Sequence, residues 1–467
     1  MKHFRSFDLN QRLMLAPDLN DWLPEGHLSR FVAEVVGELD LTAIYAKYED
    51  GRGLAAYHPQ MMCGLLIYGY CTGIFSSRRI ERATYEDVAF RYLSGDQHPD
   101  HDTIASFRER HLEALQGIFL QVLKLCEKAG LVKLGHVALD GTKVKANASK
   151  HKAMSYDRMC QRERELTERI AGLLTQASTI DASEDQQYGK GKTADQLPQE
   201  LKRSQQRLAK IREAKAALEQ EAREHAEAKK AEVEAALAAR AQREAETGKK
   251  TGGSKPQIPD PATAKPEAKA QRNFTDPESK IMRDGATKSF MQAYNAQAAV
   301  DGEHQVIVAH DVITRGNDSA QLVPILAQVV ANLGRKPTAV SADAGYFSQE
   351  QLTDPSLDGI DLHVPPDRQR HRDRPPDDPP PPPPGTSEPP ANPTLKDLMR
   401  QKLKTTAGYL LYRMRKAIVE PVFGQIKQAR GFRGFSFRGE KKNRAEWGLI
   451  CATHNVLKLW RSGWRPA

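Results

Sequence analysis

The chain has 467 residues, 39% hydrophobic and 28% charged, and Lys and Arg outnumber Asp and Glu by 69 to 60 for a net charge of +9. That length exceeds what one simple core holds and calls for two or three domains. A pI near 9.1 favours polyanionic partners without requiring them, and five scattered cysteines with no CxxC pair argue against zinc or disulfide frameworks.

The polar start, Met1 to Asp18, lacks the apolar core of a signal peptide, and the longest apolar stretch, around Met61 to Tyr70, is too short to span a bilayer. The expectation is a cytoplasmic protein with no membrane partner. From about Leu23 to Leu131 the pattern is helical. Pro59 opens one helix through Met62, Leu65, Leu66 and Tyr70. Asp102 and Thr103 are candidate caps for a second, and Leu115, Phe119, Val122, Leu123 and Cys126 share a face of a third that ends at Gly130. The cluster Arg78, Arg79, Arg82 makes DNA a candidate partner of this domain, although no helix-turn-helix pattern is sharp.

At His136 the period changes. His136 to Thr142 reads as a short apolar strand ending in Asp140 and a turn, and Lys143 to Ala146 alternate as a following strand or extension. Tyr156 to Ala177 and Pro198 to Ala245 are rich in Ala, Glu, Lys, Arg and Gln and predict two long polar helices, a hairpin or coiled-coil-like arm that serves chiefly as a solvated strut. Between them lies the low-complexity stretch Asp181 to Asp195. After them Thr247 to Ala270, rich in Gly, Pro and Lys, reads as mobile.

Ala296 to Val300 and Gln305 to His310 flank Asp301-Gly302 as a hairpin of buried strands. Asn317 or Asp318 is expected to cap a helix through Leu322, Ile325, Leu326 and Val329. Thr338 to Ser341 form a strand ending at Asp343, and Ile360 to Val364 form another. Pro365 to Pro393 is an extended linker, followed by helices over Leu395 to Leu403, Gly408 to Gln428 and Arg444 to Trp460.

This is an α/β order in which two acids leave the carboxyl ends of strands, where such sheets place their sites, and a third, Glu420, stands on a helix. Three carboxylates without thiol or imidazole are hard oxygen ligands suited to Mg²⁺, with Mn²⁺ as substitute. Two such ions suit in-line phosphoryl transfer. Singly, each acid also has an ordinary reading in turn or helix-terminus chemistry.

The segment Ala138-Leu139-Asp140-Gly141-Thr142-Lys143-Val144-Lys145-Ala146 resembles the first-acid motif of bacterial insertion-sequence DDE transposases, whose core is RNase H-like. Ala342-Asp343-Ala344-Gly345-Tyr346 resembles their second-acid motif, and the run Tyr412 to Lys427 is similar to their C-terminal signature. His58-Pro59 and Asp102 to Arg108 resemble the helical domain that precedes the core in that group. Counted back from Glu420, the commoner signature has Arg four and Tyr seven residues earlier; here Lys416 and Arg413 hold those places, and Tyr412 and Arg415 stand one residue out of register.

The fold class implied is α/β: an RNase H-like core with an all-α N-terminal domain and a long charged helical insertion. The expected boundaries are 1–132 for the N-terminal domain, 133–154 and 273–366 for the core, 155–272 for the insertion, 367–394 for the linker and 395–467 for the completing helices. By the resemblance, Asp140, Asp343 and Glu420 are catalytic and hold two metal ions. A homodimer binds terminal inverted repeats in double-stranded DNA, cleaves at the element ends and transfers the freed strands into target DNA, close to the nucleoid. Lys427, Arg413 and Lys416 are candidates to steady phosphates. Arg430, Arg433 and Arg438, interleaved with phenylalanines, are candidates to contact DNA. A nuclease of the same fold that cuts without joining and a non-catalytic DNA-binding relative remain alternatives. A coiled-coil scaffold explains only the insertion.

Overall fold

The computed structural model describes residues 18–48, 55–188, 197–248, 256–285, 287–367 and 393–466. Residues 1–145 with 294–467 form one compact unit, and residues 146–293 form a second. The segment Met1 to Pro17 and most of the expected proline linker lie outside the described residues, as do 189–195 of the low-complexity stretch.

The first unit opens with α1 (Leu28–Glu38), α2 (Thr42–Tyr45), α3 (Pro59–Thr72), α4 (Ser77–Glu86), α5 (Val88–Ser94), α6 (His101–Arg110) and α7 (Leu112–Lys128). Pro59 stands in the first turn of α3, where its missing N–H has no intrahelical acceptor to lose. α7 buries Leu115, Phe119, Val122, Leu123 and Cys126, the face its periodicity predicts. The cap of α6 is Asp100, not Asp102 or Thr103: its carboxylate accepts the Thr103 N–H at 2.7 Å, and the helix starts two residues earlier than expected.

β1 (His136–Lys145) runs without interruption through Gly141, where a turn was expected. β5 (Phe290–Asp301) and β6 (Ile307–Ile313) are antiparallel around Asp301-Gly302, as the sequence predicts. β7 (Ala339–Ser341) lies parallel to β1, and β8 (Asp361–His363) parallel to β7. The resulting order is β6–β5–β1–β7–β8. The Gly302 N–H donates to the His136 carbonyl at 2.8 Å, so the end of β5 meets the start of β1 and the two strands run in opposite directions. From Gln292 to Asp301, β5 is buried at every residue, which explains its near-continuous Ala and Val content and sets off Asn295 and Gln297 as buried polar groups.

Helix α10 (Leu322–Leu333) packs on β6. Its cap is Gln321 rather than Asn317 or Asp318; the Asp318 carboxylate is engaged by side chains of β5 instead. After α11 (Gln349–Leu352) and α12 (Leu395–Lys404), α13 (Thr406–Gly424) packs on β1, β7 and β8, and α14 (Glu440–Arg461) packs on α7, α3 and β6. α14 carries the fully buried Trp447, whose Nε1 donates to the Gln297 carbonyl at 2.9 Å. Pro421 sits inside α13 without ending it. The carbonyl left without an i+4 donor, that of Ala417, accepts instead from Gln305 Nε2 at 2.9 Å. The helix gives way to a π-turn at Gln425–Ala429 rather than continuing to Gln428.

In the second unit, β2 (Ala153–Ser155) pairs antiparallel with β3 (Gln271–Asn273), and β4 (Lys280–Arg283) pairs with the first residues of β5. Helices α8 (Tyr156–Tyr188) and α9 (Leu197–Thr247) pack together, as the composition predicts, around Met159, Ile211, Ala214 and Leu218. Glu163 of α8 bridges Arg212 and Lys215 of α9, each at 2.9 Å. Helical backbone runs from Asp181 to Tyr188 into the expected low-complexity stretch. Among the described residues no helix is long and apolar enough to cross a membrane.

Candidate active site

The sheet register brings two of the expected acids together. Ala138 pairs with Ser341 across parallel strands, so Asp140 and Asp343, each two residues further on, fall on the same side of the pleat. Asp343 follows the end of β7, whereas Asp140 lies within β1 rather than at the strand end expected of it. Burial pushes the Asp140 carboxyl up to about 6, against the pull of Arg415; Asp343 raises it further. Asp343 is also raised, by burial first, with Asp318 adding to the rise and Arg415 opposing it. Its Oδ1 accepts the Gly345 N–H at 2.9 Å and caps the 3₁₀ turn Ala344–Tyr346.

The cation between these acids comes from α13. Arg415 Nη1 lies 3.0 Å from Asp140 Oδ2, and the side chain is only 8% exposed. Burial works against its charge, but Asp140, Tyr412, Asp343 and Glu420 together hold its pKa above the ordinary value. Its Nε is buried and has no acceptor. Arg415 shares a buried helix face with Ile418, Val419 and Val422, at intervals of three, four and seven residues. Arg413, Lys416 and Glu420, also three, four and seven apart, share the exposed face. The register counted back from Glu420 therefore selects the outward basic residues, and the one that reaches the acids is Arg415.

Asp318, Asn295, Gln297, Tyr346 and Lys143 were not expected as site residues: the sequence gives Asp318 only a capping role, and Lys143 and Tyr346 only a place within the two acid motifs. Asn295 Nδ2 and Gln297 Nε2 both donate to Asp318 Oδ1, each at 2.6 Å. The buried Tyr346 hydroxyl donates to Gln297 Oε1, and burial beside Asp318, Asp140 and Asp343 drives its pKa well above the ordinary value. Lys143 is lowered by burial and drawn back by the same three aspartates. Gly141 is required here: a Cβ would stand 2.4 Å from Gln297 Nε2, 2.8 Å from Asn295 Oδ1 and 2.9 Å from Asp318 Oδ1. The available sequence signal was the pair of amides at alternate positions in an otherwise apolar strand. A cavity of about 620 Å³ opens on these groups, lined by Asp318, Asp343, Gly345, Tyr412, Arg415 and Lys416 among others.

The segment after α13 divides the expected DNA-contacting residues. Lys427 Nζ is held by Thr142 Oγ1 at 3.1 Å and the Lys143 carbonyl at 3.0 Å, beside Asp140 in sequence. Arg430 is corrected: it is buried, its guanidinium donates to Thr453 Oγ1 at 2.9 Å and to the carbonyls of Tyr70 and Ile450, and burial lowers its pKa to about 10. Phe432 and Phe435 are likewise core residues, Phe432 lying 4.4 Å from the Phe75 ring centroid. Arg433 and Arg438 are exposed.

Residues 17–110 match a family described as a transposase domain (DUF772), and residues 389–460 match a transposase DDE domain. These matches support an insertion-sequence DDE transposase. The second match spans Arg415, Glu420 and Lys427, whereas Asp140 and Asp343 lie outside both. No curated protein and no solved structure gave a match. DDE transposases generally use divalent metals. In this chain Asp140 and Asp343 are hard oxygen donors on neighbouring parallel strands and fit such an ion. Among the described residues, however, no three His, Cys, Asp or Glu side chains converge closely enough to hold a metal, and Glu420 stands exposed.

Proposed function

We propose that the chain cleaves DNA at the ends of a mobile element and joins the freed strands to target DNA, from an RNase H-like core. The observation that carries this reading is the placement of Asp140, within β1, beside Asp343, just past the end of the parallel strand β7, with Arg415 delivered to Asp140 by a helix inside the DDE-matched segment. The order β6–β5–β1–β7–β8, antiparallel on one side of β1 and parallel on the other, supports the core assignment.

Asp140 and Asp343 are the residues to hold Mg²⁺ or Mn²⁺, with Glu420 as the third acid that the family resemblance assigns. The bound ion supplies polarisation of the phosphodiester and a more acidic attacking oxygen. The chain's own groups do the remaining work. Arg415 lines the cavity, where its guanidinium places positive charge for a phosphate. Lys416 at the cavity edge and Arg413 beside it add positive charge along the exposed face of α13, and Arg433 and Arg438 extend it. Double-stranded DNA is the partner, a homodimer the working form, and the cytoplasm near the nucleoid the setting.

The test is cleavage and strand transfer on end-bearing DNA in Mg²⁺, comparing wild type with Asp140→Asn and Glu420→Gln. Both variants are expected to lose cleavage while still shifting DNA in a gel. Cleavage undiminished in Asp140→Asn overturns the site. Loss in Asp140→Asn alone removes Glu420 from it, and cleavage without joining makes the enzyme a nuclease.

A further inference from the structure

Resting on that reading, we infer that Asp318 is an additional cation ligand of the centre, presenting its second carboxylate oxygen to the space above Gly345 together with Asp343 Oδ1, which also accepts the Gly345 N–H. Neither family match covers Asp318, and the sequence offers it a plainer role as a helix cap, which Gln321 takes.

The two oxygens of Asp318 are used differently. Oδ1 is fixed by the amides of Asn295 and Gln297, at 2.6 Å each, so the carboxylate cannot rotate without breaking two bonds. Oδ2 lies 3.4 Å from the place a Cβ would occupy on Gly345, and Asp343 Oδ1 lies 2.9 Å from the same point. The bare Cα of Gly345 thus leaves a cradle between two carboxylate oxygens on the wall of the cavity. Two carboxylates completed by substrate oxygens are an ordinary way to bind Mg²⁺, which keeps several non-protein ligands.

Two observations outside the acids point to a ligand. The Arg415 guanidinium, on the same cavity wall, keeps a buried Nε with no acceptor. Asn295, fully buried and bonded to Asp318 through Nδ2, leaves Oδ1 without a donor beside Gly141, next to the fixed oxygen of Asp318.

The experiment is Mn²⁺ binding to the full-length protein, followed by electron paramagnetic resonance and by Fe²⁺-localised hydroxyl-radical cleavage of the backbone. It compares wild type, Asp343→Asn, Asp318→Asn and Gly345→Ala. Asp318→Asn keeps an oxygen for one amide donor, and Gly345→Ala keeps every acid but fills the cradle. Both are expected to weaken Mn²⁺ at least tenfold with melting temperature little changed, and the wild-type backbone is expected to be cut near 318 and 343. If Asp318→Asn unfolds, Gly345→Ala decides alone. Wild-type Mn²⁺ affinity in the folded Asp318 and Gly345 variants, with loss in Asp343→Asn, overturns the inference and leaves the proposed function standing. Absence of Mn²⁺ binding in the wild type overturns both.

Discussion

At the scale of single residues the site is set by charges that burial penalises and neighbours rescue. The Asp140 carboxyl, at about 6 in the folded chain, binds its proton more tightly there than in the unfolded chain, where a carboxyl titrates near ~4. Its contribution to stability is therefore fully present below about pH 4 and is lost as pH rises through 6. Arg415 limits that loss. Arg415→Gln should leave two buried carboxylates uncompensated at pH 8, costing about 3 kcal/mol, and much less at pH 5, where Asp140 is mostly protonated. Urea titrations at the two pH values measure the difference, and an equal loss at both would mean the pair carries no pH-dependent weight. The same change should move the acidic midpoint of the cleavage rate upward, because Arg415 holds the Asp140 pKa down. Gly141 sets a different limit, one of space. Gly141→Ala pushes a methyl against Gln297, Asn295 and Asp318 inside their van der Waals contact. The expected cost is about 1–3 kcal/mol, with the Asp318 network displaced. Full activity in this variant would show that the packing around Asp318 is irrelevant to catalysis.

At the scale of elements, the turn after α13 shows how one basic, aromatic stretch does two jobs. Arg430 fastens α3 and α14 through three acceptors, and Phe432 fills the space by Tyr70 and Phe75, while Arg433 and Arg438 stay outside. Arg430→Ala should lower stability by about 3 kcal/mol, through three orphaned acceptors and a cavity. The double variant Arg433→Ala, Arg438→Ala should change stability by less than ~0.5 kcal/mol per site. It should weaken DNA binding and flatten its salt dependence by up to about two in log–log slope. Melting curves beside gel shifts at several salt concentrations separate the two; a DNA defect absent from the double variant would place the contact elsewhere. Composition cannot make this division, because arginine and phenylalanine alternate evenly and only the fold decides which face turns inward. The same holds in α13. Periodicity in the sequence selects a face, but the choice between Arg415 and the pair Arg413 and Lys416 depends on which apolar residues the sheet covers, here Ile418, Val419 and Val422. What periodicity does show plainly is β1 with Asp140, the β5–β6 hairpin, and the paired helices of the insertion. Asp318 was hidden for a related reason: an Asp a few residues ahead of a helix has an ordinary use as a cap, and its bonds to Asn295 and Gln297 span more than twenty residues of chain.

At the scale of the whole molecule, the charged insertion is a folding unit with its own core. Met159, Ile211, Ala214 and Leu218 pack with Met154, Leu166 and Phe274, all between residues 146 and 293. Its two ends meet: Tyr156 N–H donates to the Ala270 carbonyl at 2.8 Å and Asp157 N–H to the Ala268 carbonyl at 3.2 Å. Chain ends that are already hydrogen-bonded can be closed by a few flexible residues at small entropic cost. The core of the first unit and the Asp140, Asp318 and Asp343 centre lie outside the excised segment. A chain with 159–266 replaced by a short Gly–Ser loop should therefore keep the cooperative melting of the first unit and retain metal-dependent cleavage within about threefold, a change of ~0.6 kcal/mol in barrier. If instead the shortened chain folds but loses cleavage or end-bearing DNA, the insertion holds the nucleic acid, and the strut reading of its polar helices fails. Cleavage retained with paired-end joining lost would assign those helices to assembly of two copies rather than to chemistry.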